Sequence, residues 1–179
     1  LAYSIAAAKM TQGIDRVIVT TDSEEYANIS RKYGAETPFL RPKSISNDKS
    51  SDLEFFKHCI DWLYVNENYI PDNIIHLRPT TPIRDPELIS KAILFLNLNK
   101  KATSLRSGHK APESPFKWFL KDENNFFKGL KDSLTPDMVN MPRQGFPDVF
   151  IPDGYVDIDK PNTIKEKRTL HGNNMLVWK

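Results

Sequence analysis

The sequence predicts an α/β fold in which a mostly parallel sheet lies between layers of helices. Two observations predict it. Over the first hundred residues, short β-branched or apolar runs alternate with helical stretches, and the connections are short. The first run also carries apolar side chains on consecutive positions, as a strand covered on both faces does. A third observation shows where the alternation stops. From His109 to Pro152 the chain holds six of its 13 prolines and several aromatic residues that do not suit a solvated linker.

Residues Leu1–Met10 carry apolar side chains at Leu1, Ile5 and Ala8, near helical spacing, and Gly13 ends that helix. Arg16–Thr21 (RVIVTT) reads as a strand. Asp22 with Glu25 three residues later is a capping-box pattern, so Asp22 is read as the N-cap of a helix that Gly34 closes. Thr37–Leu40 reads as a second short strand. Leu53–Val65 is an amphipathic helix with Leu53, Phe56, Ile60 and Leu63 on one face. Asn73–Leu77 is a third strand. Asp85 as N-cap and Pro86 at the first helical position start a helix that runs to about Leu98. Ala102–Arg106 is a fourth strand. After the aromatic arm, Tyr155–Ile158 returns as a strand, Pro161–Lys167 suits a helix, and Met175–Trp178 is a last strand.

The chain has 179 residues, which suits one domain. Lys plus Arg total 25 and Asp plus Glu 23, a formal net charge of +2, so binding to nucleic acid through bulk positive charge is excluded. The single Cys59 excludes an internal disulfide and a multi-cysteine zinc site. No apolar run approaches the ~20 residues that span a bilayer. A soluble, reducing, cytoplasmic setting is the expectation. The four histidines lack metal-ligand spacing, and His58 reads as structural. The sequence contains no GxGxxG, GxxxxGK[ST] or GxSxG motif.

In open α/β sheets, ligands gather at the carboxyl ends of the strands, and three loops fall there. Asp22 follows the first strand as a helix cap or an anion-site residue, and the two roles are compatible. The Arg41–Asp52 loop mixes cations and hydroxyls, which suits phosphate or ribose and also suits any solvated loop. Arg78-Pro79-Thr80-Thr81-Pro82-Ile83-Arg84 is the most specific motif. Two arginines, apt for bidentate phosphate or carboxylate recognition, flank a turn stiffened by proline. In the arm, Lys117 and Arg143 each sit beside a proline or one residue from it. Asp153-Gly154 is turn chemistry. Asp157 and Asp159, two apart on a strand, face the same side. Such a pair could hold Mg²⁺, but the wet face of an edge strand is the simpler reading.

RVIVTTDSEE, YGAETPFLRP, NDKSSD, HLRPTTPIR, PRQ and DGYVDI stand in the order found in the CMP-sialic acid synthetases, or acylneuraminate cytidylyltransferases. The chain resembles that family over nearly its whole length. The resemblance implies a three-layer, Rossmann-like, nucleotide-diphospho-sugar transferase fold with a dimerisation arm over 109–152. It implies transfer of CMP from CTP to the anomeric hydroxyl of an acidic nine-carbon sugar, with Mg²⁺ and release of pyrophosphate. By resemblance, Asp22, Arg41, Ser51, Asp52 and Arg78, Pro79, Thr80 and Thr81 face the nucleotide. Arg84, Lys117, Arg143, Gln144, Asp153 and Gly154 face the sugar. The implied partners are CTP, the acidic sugar and a second copy of the chain, as a homodimer or a tetramer, with no nucleic acid and no membrane. Leu170-His171 corresponds to where the family reaches into the partner's site.

Several positions depart from the family pattern. Arg78 replaces a glutamine, Asp153 an asparagine and Asp157 a tyrosine, which points to a sugar other than N-acetylneuraminate. The family's first strand with its Arg-x-x-Ser-Lys-Gly loop would precede Leu1, and its Asp-x-Asp metal pair would follow Lys179. The expectation is therefore a domain truncated at both ends, with catalytic and metal-binding residues unassigned. The alternatives are a Kdo-type cytidylyltransferase on the same fold, and a degenerate homologue that only binds nucleotide or dimerises.

Overall fold

The computed structural model describes residues 1–179. They form two compact units: Leu1–Ser107 together with Gly154–Lys179, and Gly108–Asp153.

The first unit holds α1 (Ala2–Met10), α2 (Glu24–Lys32), α3 (Asp52–Glu67), β1 (Ile74–His76) and α4 (Pro86–Leu98). Strand β2 (Ser104–Lys110) leaves it, and the chain returns within β5 (Phe150–Asp159), followed by α6 (Pro161–Lys167) and β6 (Met175–Trp178). The sheet order is β1-β5-β2-β6, with β5 antiparallel to β1 and β6 parallel to β2.

Strand alternation builds the layers. Val156 and Ile158 of β5 and Leu105 of β2 are fully buried against Ile89, Ala92, Ile93 and Leu96 of α4. Each of the Val, Leu and Ile side chains stabilises the fold by roughly 1.5–3 kcal/mol through removal of apolar area from water. On the opposite face, Phe56 and Ile60 of α3 pack with Ile164 of α6, and Ile74 of β1 joins them. Helices therefore cover both faces, and α1 lies against α4.

Alternation also sends Asp157 and Asp159 to the α3 side of the sheet. The wet, edge-strand reading of these two residues does not hold. Strand β5 is interior, between β1 and β2, and the two residues are 1% and 0% exposed.

The helix starts follow their caps. Asp85 Oδ1 accepts from the Glu87 amide at 2.8 Å, and Pro86 occupies the first turn of α4. The Ser51 amide donates to the Glu54 carboxylate at 2.6 Å, in a capping box that starts α3. Helix α2 corrects the expected cap. Ser23, not Asp22, is its N-cap, and Ser23 Oγ accepts from the Tyr26 amide at 3.3 Å.

The expected strands at Arg16–Thr21 and Thr37–Leu40 reduce to one parallel bridge, Ile18 to Glu36. The Val19 amide donates to the Glu36 carbonyl at 2.9 Å, and the Glu36 amide to the Val17 carbonyl at 2.7 Å. The segment pairs on one side only. It also lines a cavity of about 1620 Å³, shared with Ile75 and Leu77, so no ladder propagates there. Propensity marks these residues as extended, but a strand needs neighbours on successive residues.

In the second unit, β3 (Phe119–Lys121) and β4 (Phe127–Gly129) form an antiparallel hairpin, and α5 (Pro136–Val139) is a single turn. Phe119 and Phe127 lie with ring centroids 5.3 Å apart, and Phe116 stacks on Phe146 at 6.0 Å. Gly129 closes the hairpin against backbone. A Cβ there would lie 2.6 Å from the Leu134 carbonyl oxygen. No helix in either unit is long and apolar enough to cross a membrane.

Candidate functional site

The site of the first unit forms where β1 ends. After His76 the chain passes through Leu77 into Arg78, and the Thr81 amide donates to the Arg78 carbonyl at 3.2 Å. Pro79 sits at the second position of that turn, where its fixed φ suits the geometry.

The Arg78 side chain is held by two carboxylates. Its Nη1 donates to Asp157 Oδ2 at 2.5 Å and its Nη2 to Asp52 Oδ2 at 2.6 Å. Burial opposes its charge, but the two carboxylates outweigh that cost and raise its pKa. Asp52 is the first residue of α3, so the helix dipole also favours its negative charge.

His76 faces the same cluster, with Nδ1 4.0 Å from Asp52. The rings of Phe55 and Phe56 lie edge-on to it at 5.6 and 5.0 Å. Burial, then the nearby Arg78 charge, push its pKa down to about 4, so it is neutral at pH 7.

Across the sheet, Arg106 Nε faces Asp157 Oδ1 at 3.4 Å without hydrogen-bond geometry. Two residues along β5, Asp159 Oδ1 meets His171 Nδ1 at 2.9 Å. Burial pushes the Asp159 carboxyl up to about 6, against the opposing pull of His171.

Arg84, at the far end of the loop, turns inward and is buried, with its guanidinium on Tyr155, Ser4, Arg78 and Gly154. Gly154 has φ +68°, and Thr81 Oγ1 lies 3.3 Å from where its Cβ would be. The expected turn at Asp153-Gly154 is instead a positive-φ kink at Gly154 inside the continuous strand β5, and that kink is adjacent to the loop after β1. A side chain at 154 would be both strained and crowded.

The structure therefore brings Asp52, Arg78, Thr81, Arg84 and Gly154 together. Pro79 and Thr80 are exposed on the same loop. Ser51 caps α3. Arg41 stands with Asp22, outside that group. Their charged groups are 4.0 Å apart, Arg41 Nε donates to Ser46 Oγ at 2.9 Å, and the guanidinium lies 5.6 Å over the Phe55 ring. Lys117, Arg143, Gln144 and Asp153 belong to the second unit. There Lys117 Nζ donates to the Met141 carbonyl at 2.7 Å, and Arg143 Nη2 to the Ala111 carbonyl at 3.3 Å.

The sequence reading missed Arg106 and misread Asp157. The available signal for Arg106 was the lone charge that ends the strand segment ATSLR.

Residues 1–118 match the cytidylyltransferase family. This chain belongs to the cytidylyltransferase family. It is 41% identical over 101 residues to an N-acylneuraminate cytidylyltransferase of Escherichia coli O18:K1:H7, covering 56% of this chain and 23% of that protein. It is 32% identical over 92 residues to a pseudaminic acid cytidylyltransferase of Campylobacter jejuni, covering 51% and 39%. A CMP-N,N'-diacetyllegionaminic acid synthase of Legionella pneumophila is 32% identical over 95 residues, covering 52% and 40%. The aligned part thus spans well under half the length of each of these relatives. A solved structure of CMP:2-keto-3-deoxy-manno-octonic acid synthetase complexed with CTP superposes with a TM-score of 0.59. It has 13% identity and covers 93% of this cytidylyltransferase chain and 65% of that one. The fold is therefore of the nucleotide-sugar transferase type.

The cytidylyltransferase cluster does not fit the Mg²⁺ that the resemblance implies. Asp157 already faces two arginines, which repel a cation, and Asp159 is fully buried against His171. No group of three or more His, Cys, Asp or Glu side chains converges as a metal site.

Proposed function

We propose that this chain carries substrate-facing segments of a cytidylyltransferase that transfers CMP from CTP to the anomeric hydroxyl of an acidic nine-carbon sugar, releasing pyrophosphate. The observation that carries the reading is the adjacency of the Arg78–Thr81 loop, at the end of β1, to the Gly154 kink of β5, in a chain of this family. Both substrates are anionic. In-line attack at the α-phosphate needs positioning and charge neutralisation more than covalent chemistry.

In this reading Asp22, Arg41, Ser51, Asp52 and Arg78–Thr81 serve the nucleotide side. Lys117, Arg143, Gln144, Asp153 and Gly154 serve the sugar. Arg78 meets CTP with its guanidinium already oriented by Asp52 and Asp157. The Arg78–Asp157 pair, where the family pattern has glutamine and tyrosine, favours a sugar of the legionaminic or pseudaminic kind over N-acetylneuraminate. Mg²⁺ remains part of the proposed reaction, with ligands other than Asp157 and Asp159. A homodimer built on the second unit is supported by the exposure of Trp118, Phe119, Leu120 and Phe126 on its hairpin and flanks.

The test is pyrophosphate release by the full-length protein with CTP and, separately, N-acetylneuraminate, pseudaminic acid, N,N'-diacetyllegionaminic acid and Kdo. Turnover of pseudaminic or legionaminic acid is expected. Preference for N-acetylneuraminate would overturn the sugar assignment. Preference for Kdo would favour the second reading, which the fold likeness to the Kdo enzyme motivates. Failure to bind CTP at all would leave a degenerate homologue.

A further inference from the structure

Arg84 closes the loop that Arg78 opens, and it is 8% exposed despite its charge. Its guanidinium is committed to protein acceptors on every nitrogen. Nε donates to the Tyr155 carbonyl at 2.5 Å and Nη1 to Ser4 Oγ at 3.1 Å. Nη2 donates to the Arg78 carbonyl at 2.8 Å and to the Gly154 carbonyl at 3.1 Å. Burial lowers its pKa, yet arginine stays charged in proteins.

Three of the four acceptors are backbone carbonyls, and they lie in two separate segments. Arg78 begins the loop after β1, whereas Gly154 and Tyr155 lead into the buried half of β5. Charge-assisted bonds from one planar, rigid fork set the spacing between those segments. A second tie joins the same region, since Tyr155 Oη accepts from the Asp85 amide at 2.5 Å. These contacts use four of the five N–H groups. The one that remains, on Nη1, cannot make the bidentate contact by which arginine holds a phosphate or a carboxylate.

We infer that Arg84 is a positioning residue that couples the Arg78–Thr81 loop to the Gly154–Tyr155 segment of β5 and does not itself touch substrate. The assignment of those segments to CTP and to the acidic sugar rests on the function proposed above. The coupling rests on the contacts alone.

Arg84→Lys keeps the charge, but a single ammonium does not reproduce the fork that serves both segments. In the unliganded protein, amide hydrogen exchange in this variant is expected to rise roughly tenfold both at Thr80, Thr81 and Ile83 and at Gly154 and Tyr155, with melting still cooperative. Faster exchange in only one segment, or in neither, overturns the coupling whether or not the functional reading survives. In full-length protein, assayed with CTP and the preferred sugar of the panel above, KM for both substrates is expected to rise about fivefold, with kcat changed less. A rise for the sugar alone would make Arg84 a direct sugar ligand. A fall in kcat with both KM values unchanged would make its role merely structural. Either result overturns the inference.

Ser4→Ala removes only the α1 acceptor and guards against misfolding of the lysine variant. Exchange at both segments in it should stay within about twofold of the parent, since the three carbonyl bonds persist. A larger rise would place Arg84's role in anchoring α1 and would overturn the inference too.

Discussion

Arg78 and Asp157, 79 residues apart in sequence, meet in a hydrogen-bonded ion pair of 2.5 Å. The pair joins the loop after β1 to the polar face of β5. Asp157 is almost completely buried, whereas the Arg78 side chain is 25% exposed. The loop's cation is thus fixed from beneath, with its outer edge open to solvent.

Arg78→Met should leave Asp157 buried with only the distorted approach of Arg106. The expected loss is about 3 kcal/mol, the lower part of the range for stripping a buried charge of its partner. Arg78→Met combined with Asp157→Leu should recover much of it, because the uncompensated charge is gone. Urea unfolding of the two singles and the double measures the coupling. Additive losses would mean that the pair contributes nothing as a pair.

Acid and base titrations of this cluster oppose each other. His76 has its pKa lowered from 6.5 to about 4, so its contribution to stability is present above pH 6.5 and lost as pH falls toward 4. Asp159 is raised from 3.8 to about 6, so its contribution is present below 3.8 and lost as pH rises through 6. His76→Phe should flatten the acid-side loss. Asp159→Asn should remove the loss on raising pH, and Asp157, Arg106 and His171 are the charged or titratable groups facing it. Each change should amount to on the order of 2 kcal/mol across its window. Chemical denaturation at pH 4, 5.5 and 7 checks both, and curves parallel to the parent's would refute the assignments.

Arg143→Ala should raise KM for the acidic sugar at least about tenfold and leave CTP affinity nearly unchanged, as loss of a charge-assisted contact to one substrate does. Titration calorimetry with CTP and steady-state kinetics with the sugar separate the two. Equal losses would place Arg143 outside the sugar site.

Phe119→Glu with Phe126→Glu changes two side chains that are 61% and 70% exposed, so the hairpin should still fold. If this surface covers a second copy, burying two carboxylates there is prohibitive, and light scattering should report monomers. A dimer of unchanged stability would mean that the hairpin is free.

The sequence was a good guide wherever local physics decided the outcome. Pro86 and Asp85 marked the start of α4, the periodicity of Leu53, Phe56, Ile60 and Leu63 outlined α3, and the His-Leu-Arg-Pro-Thr-Thr string located the loop. It was a poor guide wherever neighbours decided. RVIVTT has strand propensity but gained a single bridge, because pairing depends on what lies alongside. Asp22 and Ser23 compete for one cap, and backbone geometry chose the serine.

Residue types and their order determined by themselves that this chain is an α/β cytidylyltransferase with an arginine-flanked loop at the end of β1. Only the tertiary structure decided what those arginines do. Arg78 and Arg84 look equivalent in Arg-Pro-Thr-Thr-Pro-Ile-Arg. Packing sends one to two carboxylates with an open edge and the other to four acceptors within the protein. The physical reason is burial. A buried guanidinium must satisfy its donors within the protein, and which acceptors lie in reach depends on Ser4, Asp52, Gly154, Tyr155 and Asp157, far away along the chain.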